Sequence, residues 1–439
     1  MAVSALHRLA AAAPVPVFVA RGAGAGLLGG ELAADRRLRL VASPRQATVV
    51  LAAGHFGGGL GPALDRVHDQ LPHPRALVWW RAAGGPEPGD DRPGALDHPA
   101  AVVHGPGGDV AQVLVDTHRR LLAGDQATAP DAGADEPPHP FEGRGDHGQG
   151  GEGMMGGVPF GRPMAMTGDD RDGLALGQVS ADLGPFLVGL PAATVARVTF
   201  QGEVVQALEL RPQAVPEAPV LDPVLARFDE ARHRPVPVAE LERARARHHL
   251  RAVAECFRLA GLWALAARAA SLARGAGAGV AGVDPAAVAA LGRRLRASAL
   301  LASWSGVGTF PGRSPFTGGA NARAAGLAAD ARRGDPAYRA LGFAMVVQHG
   351  GDARARLVQR LAEARHALEL ASRAADVGAV HHPDHPLETP WGPAPDGGSV
   401  ALEAVAAALT GADWSDALAT LCSLDLVPDA AVAPAGAAP

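Results

Sequence analysis

The sequence lacks several residue types on which common chemistries depend. Its 439 residues include no lysine and no isoleucine, and asparagine and tyrosine occur once each, at Asn321 and Tyr338. Without lysine the chain can neither form a Schiff base with a carbonyl substrate nor supply the lysine of a phosphate-binding P-loop. Alanine, glycine, arginine and proline are abundant instead, a bias typical of a GC-rich coding sequence that carries little functional information.

Cysteine is scarce as well. The chain has two, Cys256 and Cys422, which is too few for a disulfide framework or for the thiolate ligands of an iron–sulfur cluster. Cys256 falls within a helical pattern at a spacing typical of a core residue. We therefore expect both cysteines to be buried structural thiols.

Strong charge and long apolar runs are also missing. The net charge of −5 comes from interspersed signs, which argues against a nucleic-acid-binding protein. No apolar run approaches the roughly 18 residues that span a bilayer. His7 and Arg8 precede a short alanine run without a recognisable cleavage site, so we expect a cytoplasmic protein. The hydrophobic fraction of 48% and the chain length predict two or three domains with real cores.

Residues 15–122 alternate between strand and helix patterns. Four short apolar runs predict strands at Val15–Ala20, Thr48–Gly54, Arg75–Trp80 and Ala100–Gly105, and two amphipathic stretches predict helices at Pro62–Leu71 and Asp109–Leu122. This alternation predicts a parallel sheet with helices on its faces.

The rest of the chain follows a different plan. Residues 123–157 are rich in Gly, Pro, Asp and His and are predicted to form a linker. Short strands follow, with a hairpin turn predicted at Gln201–Glu203. Helical patterns then cover Ala239–Ala273, Pro285–Ser303 and Asp352–Val377, with apolar residues three and four apart and the arginines expected to face solvent. Long antiparallel helices packed as a bundle account for these patterns.

The stretch Ala42–Trp80 carries two specific landmarks, SPRQA at Ser43–Ala47 and DQLPHP at Asp69–Pro74. It resembles the cluster-bearing small subunit of respiratory complex I and of [NiFe]-hydrogenases, with His68 and Leu71 where that family has Tyr and Met. The resemblance extends over most of residues 15–122. It implies a flavodoxin-like fold for this part of the chain.

The second half resembles the large subunit of the same complexes. Its landmarks are LGPF followed by the QGEVV hairpin within Leu183–Leu210, the helix pair Glu240–Ala273, GGANARAAG from Gly318 followed by a turn containing Tyr338, the helix Gly351–Ala371, and Ser423–Asp425. A fusion of the two subunit types is the implied architecture.

The resemblance also implies metal ligands that this chain does not have. The family's cluster cysteines would fall in Ala20–Gly26, Arg81–Gly85 and His104–Asp109, where no cysteine occurs. The Cys-x-x-Cys pairs of the hydrogenases are missing too, and the loop Gly184–Val195 lacks the histidine that complex I uses for quinone. We therefore expect no metal and no cofactor bound by this chain, although a quinone is possible.

Two regions remain as candidate ligand-binding sites. The glycine-rich stretch around GGEGMMGGVPFGRPMAM suits packing into a crevice between the two modules, whereas a metal site there fits no standard ligand spacing. HHPDH, from His381 to His385, could hold zinc or form a surface turn. The crevice candidates are Met154, Met155, Phe160, Arg162, Met164, Met166, Arg323, His382 and Glu388.

These observations predict a multidomain protein. An α/β flavodoxin-like domain with a parallel sheet (1–122) and a linker (123–157) precede an α+β domain (158–439) with an antiparallel sheet and a long-helix bundle. The leading hypothesis is a subunit of a complex I-like or hydrogenase-like complex, structural and without its own metal centre. Its partners would be antiporter-like membrane subunits and iron–sulfur subunits, at the inner face of the plasma membrane. A residual quinone-reducing subunit and a stand-alone small-molecule binding protein are the alternatives.

Overall fold

The computed structural model describes most of both predicted modules. The described residues are 13–83, 93–106, 109–133, 166–169, 175–213, 220–277, 283–310, 315–394 and 402–426. Of the crevice candidates, Met154, Met155, Phe160, Arg162 and Met164 lie outside these ranges.

The N-terminal part is a five-stranded parallel sheet in the order β2-β1-β3-β4-β5. Its strands are β1 (Val15–Arg21), β2 (Leu38–Leu40), β3 (Val49–Ala53), β4 (Ala76–Arg81) and β5 (Ala101–His104). Helices α1 (Leu60–Asp69) and α2 (Val110–Ala123) cover it. Alternate residues of β3 face opposite layers: Val50 packs with Leu64 of α1, and Leu51 packs with Leu114 of α2. The predicted parallel sheet with helices on its faces is confirmed, and the short strand β2 was not predicted.

A four-stranded antiparallel sheet follows in the order β6-β7-β8-β9. Its strands are β6 (Met166–Asp169), β7 (Ala175–Leu183), β8 (Thr194–Gln201) and β9 (Val204–Pro212). Gln201 pairs with Val204, so the hairpin turns where it was predicted. Val198 and Val205 pack against α11 (Leu402–Leu409) and α12 (Trp414–Leu424).

The remaining elements are mostly helical. They are α3 (Pro223–Glu230), α4 (Val238–Leu259), α5 (Trp263–Gly277), α6 (Pro285–Arg296), α7 (Leu300–Ser303), α8 (Gly319–Ala324), α9 (Pro336–Ala340) and α10 (Ala353–Val377). A two-residue strand pair, β10 (Val236–Pro237) and β11 (Val380–His381), joins distant segments. Asp352 caps α10 by accepting a hydrogen bond from Ala355 N at 2.7 Å. The predicted helix Pro285–Ser303 is divided into α6 and α7.

The expectation that the helical arginines face solvent is wrong for the two central helices. Arg245 and Arg251 of α4, and Arg356 and Arg360 of α10, are all buried. Their guanidinium groups donate to carboxylates or backbone carbonyls on other segments. Because the apolar part of an arginine side chain also packs in a core, apolar periodicity alone does not indicate which arginines are outside.

Candidate functional site

Arg323 of α8 lies at the centre of a buried ionic cluster. Its Nε and Nη2 donate to Glu363 of α10 at 2.8 and 2.9 Å. Its Nη1 donates to Glu388 Oε1 at 2.7 Å and lies 2.9 Å from Asp330 Oδ2. One guanidinium therefore meets three carboxylates that come from separate parts of the chain.

Two further arginines extend this cluster. Arg332 contacts Asp330 at 2.7 Å and Glu242 of α4 at 3.0 Å. Arg245 donates to Glu242 at 3.0 Å and to the backbone carbonyl of Glu388 at 2.5 Å. We call this set the Arg323 network; its members are Glu242, Arg245, Arg323, Asp330, Arg332, Glu363 and Glu388.

The Arg323 network holds one more carboxylate than guanidinium. His249 Nε2 lies 3.3 Å from Glu363 Oε2, but burial lowers the pKa of His249 to about 4, so this ring is neutral at pH 7. Burial alone would raise the pKa of Glu363, yet Arg323 and the neighbouring His249 ring outweigh it and hold that pKa well below its usual value.

Tyr338, the single tyrosine, also contacts the network. Its hydroxyl donates to Glu242 Oε1 at 2.8 Å, and burial followed by the charge of Glu242 raises its pKa well above the usual value. The sequence predicted a turn here, whereas Tyr338 lies on the short helix α9. The N-cap of that helix is Asp335, which accepts from Ala337 N at 2.8 Å.

The Ser423–Asp425 motif forms a second polar cluster beside the first. Arg360 of α10 donates to the carbonyls of Leu424 and Ser423 at 2.8 and 3.1 Å. His248 Nε2 lies 2.6 Å from Asp425 Oδ2, and its ring centroid is 5.8 Å from that of His249. The adjacent histidines of α4 thus connect the C-terminal motif to the Arg323 network.

The structure brings two of the crevice candidates together and separates a third. Arg323 and Glu388 are directly paired and buried. His382 is exposed and contacts His385, with ring centroids 6.1 Å apart. Met166 begins β6, and its side chain is not among those described.

The HHPDH segment makes one buried contact. His381 Nδ1 lies 2.6 Å from Asp335 Oδ2, and both residues are buried. His381, one of the three histidines that a zinc site here would use, is therefore already paired with Asp335. Within the described ranges no group of three or more His, Cys, Asp or Glu side chains is placed to hold a metal ion.

The two cysteines do not fit an iron–sulfur or nickel–iron centre. Both are buried, as predicted, and their Sγ atoms lie 3.8 Å apart between α4 and α12. The hydrogen bond with Cys256, followed by burial, raises the pKa of Cys422 well above its usual value. Metal ligation requires thiolates, and no third or fourth cysteine exists in the sequence.

The resemblance to the small-subunit family predicts cluster ligands in the loops after β1 and β4. The loop after β1 contacts the helical part of the chain. Gly24 and Ala82 follow β1 and β4, which end at the same edge of the parallel sheet; Gly108 lies outside the described residues. The carbonyl of Gly24 accepts hydrogen bonds from Leu221 N and Asp222 N, each at 3.0 Å. A loop without thiols therefore contacts the N-terminus of α3 directly.

Ion pairs reinforce this contact, which we call the junction; its side chains are Glu31, Asp222, Arg247 and Arg251. Glu31 accepts from Arg247 at 2.6 and 2.8 Å and also pairs with Arg251. Arg251 in turn donates to Asp222 at 2.7 Å. Burial alone would raise the pKa of Glu31, but the two arginines lower it. The junction is therefore a charged, hydrogen-bonded contact.

Sequence reasoning missed most of the Arg323 network. Glu242, Arg245 and His249 are spaced three and four residues apart, so they share one face of α4. All three are buried. The available signal is that ionisable residues occupy positions where apolar residues are expected. The periodicity instead predicts that the arginines face solvent.

Comparison with known proteins bears on the same region. Residues 313–388 match the family model described as respiratory-chain NADH dehydrogenase, 49 Kd subunit. This match covers 76 of 439 residues and contains Arg323, Asp330, Arg332, Glu363 and Glu388. No curated protein matches the chain. The predicted similarity to the large-subunit family is thus supported for this stretch, while the small-subunit similarity stays a prediction.

No helix among the described residues is both long enough and apolar enough to cross a membrane.

Proposed function

We propose that this protein is a subunit of a complex I-like or hydrogenase-like oxidoreductase complex and that it stabilises an interface rather than binding a redox centre. The observation that supports this most is the overlap between the matched stretch, residues 313–388, and the Arg323 network. In this proposal the network occupies the position of the active centre in the complex I-like and hydrogenase-like relatives.

The N-terminal part is assigned, within the same proposal, to a flavodoxin-like small-subunit module. The strand order 2-1-3-4-5 supports this assignment because it is a common order of doubly wound sheets. The junction supports a fusion in which the two modules are packed together: Glu31 from the first pairs with Arg247 and Arg251 from the second. Covalent linkage raises the effective concentration of two modules that dock.

Quinone binding receives less support from the described residues. The cavity between β1 and α4 has a volume of about 10 Å³, whereas pockets for small organic ligands have volumes of about 300 Å³ or more. The crevice candidates from Met154 to Met164 lie outside the described residues. We therefore place the structural role ahead of the quinone-reducing one.

Purification of the tagged full-length chain from its native cells, under conditions that preserve membrane complexes, tests the proposal. We expect iron–sulfur subunits and antiporter-like membrane subunits to co-purify at fixed stoichiometry. An Arg323→Met variant should lose these partners, whereas Arg365→Met, at an exposed site on α10, should keep them. A chain that purifies alone from both membrane and soluble fractions would refute the proposal.

A further inference from the structure

A small cavity lies where the parallel sheet meets the central helix. Arg21 at the end of β1, Val188 in the loop before β8, and Glu255 and Arg258 on α4 all line it. Its volume of about 10 Å³ matches that of a cavity just large enough for one water molecule.

Among the described residues, no hydrogen-bond partner exists for three buried polar atoms of the cavity lining: Arg21 Nη1, Glu255 Oε2 and Arg258 Nε. The other ends of two of these side chains are satisfied, since Arg258 Nη1 donates to Glu255 Oε1 at 2.9 Å. A buried polar atom without a partner is destabilising, and native structures usually supply one. Three such atoms on the residues that line one cavity call for a shared partner.

We propose that this cavity is a binding site for a single water molecule, which joins β1 to α4. The two arginine atoms are donors and the carboxylate oxygen is an acceptor. Water accepts two hydrogen bonds and donates to the third group, so it satisfies all three at once. A halide ion would lie against the Glu255 carboxylate without a proton to donate, and a cation would lie against two guanidinium groups.

This water site also bears on how the two parts of the chain are held together. At the junction, Glu31 meets Arg247 and Arg251 directly. At the cavity, Arg21 lies near Glu255 and Arg258. In the part of the chain that the structure describes, no direct hydrogen bond joins Arg21 to either of them, so in this proposal their contact passes through the water. The proposal is independent of the proposed function.

Water-to-methyl NOE measurements on the full-length chain, with labelled valine methyl groups, test it. Val19 and Val188 line the cavity, whereas Val205 is buried in a different core. We expect Val19 and Val188 to show NOE and ROE peaks of opposite sign at the water frequency, which indicates a long-lived water, and Val205 to show none. In a Val188→Leu variant, which fills the cavity, the Val19 peak should disappear.

A crystal structure of the same chain supplies the second readout. We expect one peak within about 2.6–3.2 Å of the three polar atoms. An empty cavity without the NOE peaks would overturn the proposal, as would an anomalous bromide peak at this position after a bromide soak. A Val19 peak that persists unchanged in Val188→Leu would also overturn it, because the water would then lie elsewhere.

Discussion

The cores of the two parts of this chain are built from different kinds of side chain. In the parallel sheet, the interior between α1 and α2 comes mainly from apolar residues of β3 and β4, and the buried Arg75 and Arg81 lie at the two ends of β4. In the helical part, α4 and α10 share a comparable apolar core but also enclose the Arg323 network. The sheet part therefore buries few charged side chains, whereas the helical part buries a connected set of them.

That difference indicates which part of the chain contains residues that folding stability alone does not explain. Taking charges out of water is costly, and well-packed apolar residues often stabilise a core at least as well as a buried ion pair. The residues that form the parallel sheet and its covering helices, 15–123, include no cysteine. The helical part holds seven ionisable side chains that pair with one another. We infer that the specific chemistry of this protein lies in the helical part.

Arg323→Met is expected to have the largest effect, because it disrupts the ionic network that distinguishes the helical part from the sheet. It leaves Glu363, Glu388 and Asp330 buried without their shared cation, and removing one partner of a buried ion pair costs about 3–5 kcal/mol. Thermal and urea unfolding of the purified chain measure the effect. A loss no larger than that of the exposed Arg365→Met, expected to be below about 0.5 kcal/mol, would mean that the network is not stabilising.

Acid should act on the helical part through His249. Its pKa is about 4 in the folded chain against an ordinary value of 6.5, so between these pH values the unfolded chain binds more protons. Stability therefore falls as pH decreases through this window, by about 3 kcal/mol if the group acts alone.

His249→Gln, compared with the unchanged chain in a series of unfolding midpoints from pH 7 to pH 4, isolates this contribution. We expect the variant to lose less stability across the window. Identical pH dependence in the two proteins would show that His249 does not titrate in this way.

Glu31→Gln sharpens the comparison at the junction, where the two parts meet. Arg247 and Arg251 would lose a shared carboxylate, at a cost of about 2 kcal/mol, because Arg251 keeps Asp222 as a partner. Hydrogen exchange should increase at residues 28–34 and at the middle of α4 before it increases in β3. Uniform acceleration throughout the chain would instead indicate a global effect.

Arg197→Ala on the antiparallel sheet gives the smallest expected change. Arg197 and Asp182 lie opposite each other on β8 and β7, 3.6 Å apart, and about half of each side chain is exposed. Solvent screening limits such a pair to about 0.3 kcal/mol. A loss comparable to that of Glu31→Gln would show that surface pairs matter as much as buried ones in this protein.

The sheet was predictable from the sequence, but the ionic network was not. Strands such as Val49–Ala53 are fully buried runs of small apolar residues, and the local pattern specifies them. The hairpin at Gly202 is equally local. The Arg323 network joins Glu242, Arg323, Glu363 and Glu388, which are separated by tens of residues. No spacing rule links such positions, so only the folded packing shows that Arg245 points inward while Arg365 points outward.

Family landmarks gave part of what periodicity could not. Arg323 and Glu388 were named from the resemblance, and they are directly paired. His382 was named on the same basis and is exposed, because His381, the last residue of β11, points inward to Asp335 and His382 follows it outside the strand. The family resemblance thus indicated the region of the site, and the contacts in the folded chain show which of its residues pair with one another.

Metal analysis of the full-length chain tests the central claim most directly, namely that the helical part encloses an ionic network and that the chain supplies no ligand set for iron or nickel. The purified chain is incubated anaerobically with iron, sulfide and nickel, desalted, and its metal content measured against protein. We predict that neither iron nor nickel approaches one equivalent per chain and that Cys256→Ala does not alter the result. Stoichiometric iron or nickel, lost in the Cys256→Ala variant, would contradict the account.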